Sequence, residues 1–221
     1  MTSPNPSAPG SDPLPFQRAR GEEQKARRRD QILQAAADCF EQTQWDSLTM
    51  TAIADRAGLA KGTAYRYVAT KEELFLELLL GELAEWSAEL EAALIKPGAA
   101  YESFSTRFAR SVSRRPRMLK LLGILHGVIE RNVTEEAAAA FQRGLLKILR
   151  DLGDSLEAYD ILPRGRAVRD LLRAYALVVG LAQMASPSPA VAKAIEKDPE
   201  LALFDLNFET ELRDCLERLV G

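Results

Sequence analysis

The chain has 221 residues, 47% of them hydrophobic and 28% charged, a balance that predicts a packed core and argues against wholesale disorder. Its net charge of −3 argues only weakly against a nucleic-acid partner, because the distribution of charge matters more than the total. The longest apolar runs, such as Leu74–Leu80, are short and interrupted by Glu77, which excludes a transmembrane span; with no basic segment leading into an apolar block at the start, a secretion signal is not expected and a cytoplasmic location is.

Residues 1–16 are rich in Pro, Ser and Gly and predict a disordered tail, taken to reach residue 20. From about Gly21 the apolar periodicity is helical and no alternating run is long enough for a strand, so the expected fold class is all-α. The first helix is expected over Glu22–Gln42, with Ile32, Ala36 and Phe40 on one face. Two short ones follow at Met50–Ala57 and Lys61–Val68. A long helix starts after Thr70, where Glu73 completes a capping box, and stops at Pro97-Gly98. Further helices are expected at Ala99–Arg114, Pro116–Arg131, Glu135–Ala158, Pro163–Ala185 and Asp205–Val220, with a short one at Ala190–Lys197. Pro116 and Pro163 both suit a first turn, where the missing N–H costs nothing.

Cys39 and Cys215 lie in helical patterns without ligand spacing, and His126 is the single histidine. They read as free thiols in a reducing compartment, and a metal site is not expected. No Ser/His/Asp or Cys/His set and no phosphate loop is present, so enzymatic chemistry is not expected either.

Charge is uneven. Between Gln17 and Lys71 ten basic residues face seven acidic ones, a local surplus of three, and the acidic excess lies elsewhere. Inside that stretch Thr49–Tyr67 reads as two short helices broken by Gly58, which allows the positive φ of a tight helix exit. Thr49 suits the N-cap of the first, and Leu59 can plug the core between the two. The second presents Lys61, Thr63, Tyr65, Arg66 and Tyr67, donors and aromatics that suit a groove of bases flanked by phosphates. Alone, Tyr65 and Tyr67 would read as packing residues; part of the run Lys25, Arg27, Arg28, Arg29 is expected to approach DNA, although a solvated helix start has the same look.

From Lys25 to Phe75 the chain resembles the DNA-binding domain of TetR-family regulators, in Ile32-Leu33, Ala35-Ala36, Phe40, Thr49, Ile53-Ala54, Ala57-Gly58, Gly62-Thr63, Tyr65, Lys71-Glu72 and Leu74. The resemblance implies a three-helix helix-turn-helix DNA-binding domain at 21–70. A helical effector-binding and dimerisation domain at 71–221 follows. The implied assembly is a homodimer on double-stranded operator DNA, without a cofactor. By matching position, Tyr65 and Lys71 are expected on phosphates, and Thr49 both caps and touches the backbone. Lys61, Thr63 and Arg66 are expected in the groove, Arg66 as the reader of guanine, and Tyr67 in either role. The chain departs from the family pattern in three places. Gln44 replaces a turn glycine and implies a differently shaped exit from the first helix; Ala60 replaces a hydroxyl cap; Val68 replaces a phenylalanine.

The later helices carry broad apolar stripes: Tyr101, Phe104, Phe108, Val112; then Leu122, Leu125, Ile129 with His126 at the edge; then Phe141, Leu145, Ile148, Leu152, Leu156. Such stripes are most often plain core. The resemblance implies an effector pocket among them, with Trp86, Phe104, Phe108, His126 and Tyr175 as candidate ligand contacts. Helices Arg164–Ala185 and Asp205–Val220 carry more apolar surface than one core needs, which predicts a four-helix dimer interface, with Val179 and Leu212 expected in it. The expected function is a repressor released by a small apolar or amphipathic effector; the alternative is a DNA-binding structural or cell-division adaptor whose partner is a protein.

Overall fold

Helix α1 (Pro15–Gln42) buries the face its periodicity predicts, with Ile32, Ala36 and Phe40 fully enclosed. The computed structural model describes residues 15–96 and 102–220, with side chains from Glu23 onward. Because α1 begins at Pro15, residues 15–20 of the expected tail are helical; the rest of that segment lies outside the described residues. A 3₁₀ turn at Trp45–Ser47 follows, entered through Gln44 at φ −67° and ψ 146°. That extended conformation suits any residue, so the missing turn glycine costs no strain.

Helices α2 (Met50–Arg56) and α3 (Lys61–Ala64) are short, and α4 (Lys71–Leu94) is long. The Thr70 hydroxyl accepts from the Glu73 amide at 3.1 Å, as a capping box requires. Glu73 does not complete the box; its carboxylate accepts from the Thr134 hydroxyl at 3.0 Å. Thr134 in turn caps α7 (Glu135–Ala158), so one hydroxyl ties the starts of two helices together.

The expected stop at Pro97-Gly98, and Tyr101 of the first apolar stripe, lie outside the described residues. Helix α5 (Phe104–Ser113) begins at the Ser103 cap, whose hydroxyl accepts from Thr106. The helix expected at Pro116–Arg131 divides into α6 (Pro116–Ile124), a π-helical turn at Leu125–Ile129 and a 3₁₀ turn at Glu130–Asn132. Gly123 and Gly127 flank the break, and both weaken a continuous α-helix. Pro116 takes the first turn as expected.

Pro163 does not take a first turn. Helix α8 (Ala167–Met184) starts four residues later, where Glu157 of α7 accepts from the Ala167 amide at 2.9 Å and caps it from outside. Helix α9 (Pro189–Lys197) and a 3₁₀ segment at Pro199–Phe204 bury no side chain, and α10 (Phe208–Val220) closes the chain. It begins later than Asp205 because the Asn207 side chain caps Thr210 at 2.9 Å. Ten α-helices and no strand occur among the described residues.

One connected apolar core runs from α1 to α10. Helix α4 belongs to both ends. Its Phe75 meets Phe40 at 5.2 Å and Trp45 at 5.1 Å in the first unit, while Leu83, Trp86 and Leu90 face the second. Gly144 of α7 lets that helix close on α4: a Cβ there would come within 2.4 Å of Leu80.

Candidate nucleic-acid interface and effector cavity

The recognition unit is built from its caps inward. The Thr49 hydroxyl accepts from the Ala52 amide at 3.2 Å and starts α2. Gly58 ends it at φ +66°, a conformation that disfavours a side chain. Ala60 makes no side-chain cap, and α3 closes after a single turn; its coil continues loosely to Val68 through bonds such as Tyr67 N to Ala64 O at 3.0 Å. Ala64 and Val68 pin this segment to the core, which turns Lys61, Tyr65 and Arg66 outward.

The exposed face carries the donors. Tyr65 is 44% exposed, with the Lys61 ammonium 5.9 Å from its ring centre. Thr63 is half-buried at the rim. Lys61 and Arg66 meet no carboxylate among the described residues, so their charge is open to an anionic partner. Arg66, Lys25, Arg29 and Tyr67 line an open groove of about 660 Å³ beside them.

Two expected contacts, Lys71 and Tyr67, are partly engaged elsewhere. The Lys71 ammonium donates to the carbonyls of Trp45 and Leu48, each at 3.0 Å, and lies 4.6 Å from the Trp45 ring centre. Two of its three donors therefore hold the 3₁₀ turn on α4. Tyr67 is half-buried, and its carbonyl accepts from Arg29 at 3.0 Å, while Arg29 also pairs with Glu77. The arginine run is likewise divided, with Arg27 on Glu23 and Arg28 on Gln31.

The second unit encloses a cavity of about 30 Å³ between α4, α5, α6, α7 and α8. Trp86, Phe108 and Tyr175 line it together with side chains such as Met118, Leu122 and Leu145. Trp86 donates to Ser111 at 2.9 Å and meets Phe108 edge-on at 5.1 Å, so the ring is held in place. Two candidates lie elsewhere. Phe104 packs behind Phe108 at 5.5 Å. His126 is exposed on the π-helical turn and bonds Glu130 at 2.7 Å, its ring edge-on to Tyr175 at 6.4 Å. The π-helical turn at Leu125–Ile129 shifts the helical phase, and His126 faces outward from it.

Helix α6 touches both units. Its Arg117 donates to Glu82 of α4 at 2.6 Å and to Glu41 of α1 at 3.0 Å. Lys120 donates to the Phe40 carbonyl of α1 at 2.8 Å with its ammonium 4.3 Å from that ring. On the same helix Met118 and Leu122 form a wall of the cavity. Sequence reading missed this link, because charges 35 and 76 positions apart carry no local signal.

On α8, Leu172, Ala176, Gly180 and Met184 form an exposed stripe at four-residue spacing. Val179 and Leu212, expected at a dimer interface, are buried within the protomer at 9% and 0% exposure. A charge at either would test folding, not assembly. Among the described residues no group of His, Cys, Asp and Glu could hold a metal ion, and no helix is long and apolar enough to cross a membrane.

Comparison with known proteins gives the following likenesses. The family "Bacterial regulatory proteins, tetR family" matches residues 32–78, and "Tetracyclin repressor-like, C-terminal domain" matches residues 80–220. The HTH-type transcriptional repressor KstR of Mycolicibacterium smegmatis is 28% identical over 105 residues, 46% of this chain and 52% of the relative. The match thus spans about half the length of that curated relative. Two solved structures share the fold. One, a TetR-family transcriptional regulator from Mesorhizobium loti, has 17% identity and a TM-score of 0.56, covering 89% of this chain and 94% of its own. The other, Thermus thermophilus FadR in complex with lauroyl-CoA, has 18% identity and a TM-score of 0.55, covering 87% and 92%.

Proposed function

Since the chain belongs to the TetR family of bacterial transcriptional regulators, we propose that it is a dimeric repressor which leaves its operator when a small apolar or amphipathic molecule enters the cavity of the second unit. The observation that carries this reading is the double duty of α6. Met118 and Leu122 wall the cavity, while Arg117 and Lys120 hold α1 and α4. A cavity of about 30 Å³ is far smaller than the roughly 300–1,000 Å³ of ordinary ligand pockets. A ligand must therefore displace a wall; the α4 wall runs into the DNA-binding unit itself, and the α6 wall is bonded to α1 through Arg117 and Lys120. Release follows if the ligand binds the displaced state better than the DNA-bound one. The curated relative is named a repressor, and one structural relative was solved with lauroyl-CoA, an amphipathic molecule.

On DNA, we assign Lys61, Thr63, Tyr65 and Arg66 to the groove and the flanking phosphates. Thr49 keeps a hydroxyl proton to donate to a phosphate while its oxygen caps α2. Tyr67 flanks the same face, while Lys71, with two donors spent on the Trp45 and Leu48 carbonyls, is assigned to support of the turn. Two recognition helices must lie about one helical turn apart, some 34–36 Å, so a small movement of α4 breaks the register. The stripe Leu172, Ala176, Gly180 and Met184 is assigned to the two-fold interface, where small central residues let two helices approach closely.

Genome-wide mapping of bound sites, followed by operator titration with and without candidate effectors, tests the reading. One or a few sites near a neighbouring gene, released by a small molecule, is the expected result. Many sites spread over the chromosome, insensitive to every small molecule, would favour a structural DNA-binding role instead.

A further inference from the structure

We propose that Tyr175 is the specificity-determining group of the cavity, and that the effector is an uncharged, largely apolar molecule carrying one oxygen acceptor that the Tyr175 hydroxyl meets. The proposal rests on the effector reading above and deepens it.

Thirteen side chains line the cavity. Eleven are aliphatic, thioether or Phe108, and the indole N–H of Trp86 is already spent on Ser111. Tyr175 is the exception. Its hydroxyl is sealed from solvent and has no hydrogen-bond partner among the described residues. A buried hydroxyl left unpaired costs free energy, and structures rarely tolerate one without a purpose. Water is a poor remedy. The space could admit about one molecule, but a buried water needs two to four polar partners and this lining offers one. A ligand oxygen brought in on an apolar body satisfies the hydroxyl and fills the dry volume together.

The charge of the ligand follows from what surrounds the ring. Burial first, and the Glu130 carboxylate second, push the Tyr175 phenol up to about 12, so it stays protonated and donates. Glu130 is held by His126 on the side where the Tyr175 ring meets that imidazole. A carboxylate ligand would enter an apolar site with one neutral donor and a like charge nearby, and its desolvation would go unrepaid. A ketone, ester or thioester carbonyl, or an ether, suffers neither cost.

The test compares the 221-residue chain with its Tyr175→Phe variant, using 2-decanone and decanoate as probes, read by calorimetry and thermal melting. Without ligand, Tyr175→Phe is expected to melt at the same temperature or higher, since it removes an unpaired polar atom and leaves the ring. The parent should bind 2-decanone at least ten-fold tighter than decanoate. Tyr175→Phe should lose roughly five-fold of the ketone affinity, the equivalent of about 1 kcal/mol for one hydrogen bond. A lower melting temperature for the variant would show that the hydroxyl already has a partner and overturn the proposal. So would unchanged ketone affinity, decanoate binding as tight as the ketone, or no ketone binding to the parent. If decanoate binds and releases operator, the repressor reading survives while this one falls; if no small molecule alters operator binding, the repressor reading falls by itself.

Discussion

Arg117 donates to Glu82 at 2.6 Å, and that carboxylate is only 7% exposed. The other arm of the same guanidinium reaches Glu41 of α1, so one side chain joins a buried charge to the DNA-binding unit. Removing one partner of a buried pair typically costs about 3–5 kcal/mol. Arg117 is 30% exposed and Arg115 stands 3.7 Å from Glu82, so Arg117→Ala should cost less, about 1–3 kcal/mol, in urea denaturation. Glu41→Gln weakens only the α1 link at an exposed site. It should leave stability within about 0.5 kcal/mol while raising the effector concentration needed for release. Equal inducibility in Glu41→Gln and the parent would exclude this contact from the switch.

Lys71 and Arg66 should separate support from contact. Lys71→Met removes two charge-assisted bonds to the carbonyls of Trp45 and Leu48. Stability should fall by about 2 kcal/mol, with little change in the salt dependence of operator binding. Arg66→Ala, at an exposed position, should leave stability alone. It should lose about 1–3 kcal/mol of discrimination at one base pair in each half-site. A salt slope reduced by about 0.9 in Lys71→Met, as one lost phosphate contact requires, would return Lys71 to the interface.

Gly180 offers a clean test of assembly. A Cβ built there meets nothing within 4 Å, and replacing a helical glycine removes a propensity penalty of about 1 kcal/mol. Gly180→Arg should therefore fold at least as well as the parent, yet light scattering should report half the parent's mass. A variant that remained dimeric would move the interface away from the Leu172–Met184 stripe.

Glu157 links pH to the start of α8. Backbone amides of Gly165, then Ala167 and Arg166, donate to its carboxylate and hold it below the usual carboxylate range. The folded value lies under the unfolded value of about 4.3. The stabilisation is therefore complete above that pH and lost as pH falls through the folded value. Glu157→Gln keeps an acceptor but cannot titrate, so its stability should fall less steeply between about pH 5 and pH 3 than the parent's. Identical acid slopes in urea titrations would show that the cap does not carry that dependence.

Local rules settled much of this protein from its sequence. Caps at Thr49 and Thr70, the positive φ at Gly58 and the face Ile32–Ala36–Phe40 all depend on residues within about one or two helical turns, which is the reach of periodicity and capping. The outward face of Lys61, Tyr65 and Arg66 was legible for the same reason, since buried Ala64 and Val68 set its phase. What the tertiary structure alone decided comes from pairings across long separations. Glu157 rather than Pro163 starts α8, and Lys71 is drawn onto the carbonyls of Trp45 and Leu48. His126 is turned outward by a π-helical step that shifts the helical phase, while the Tyr175 hydroxyl is sealed from solvent without a partner, on a residue that lines an apolar cavity. Whether a polar atom is satisfied depends on every helix packed around it, and spacing along one helix cannot express that.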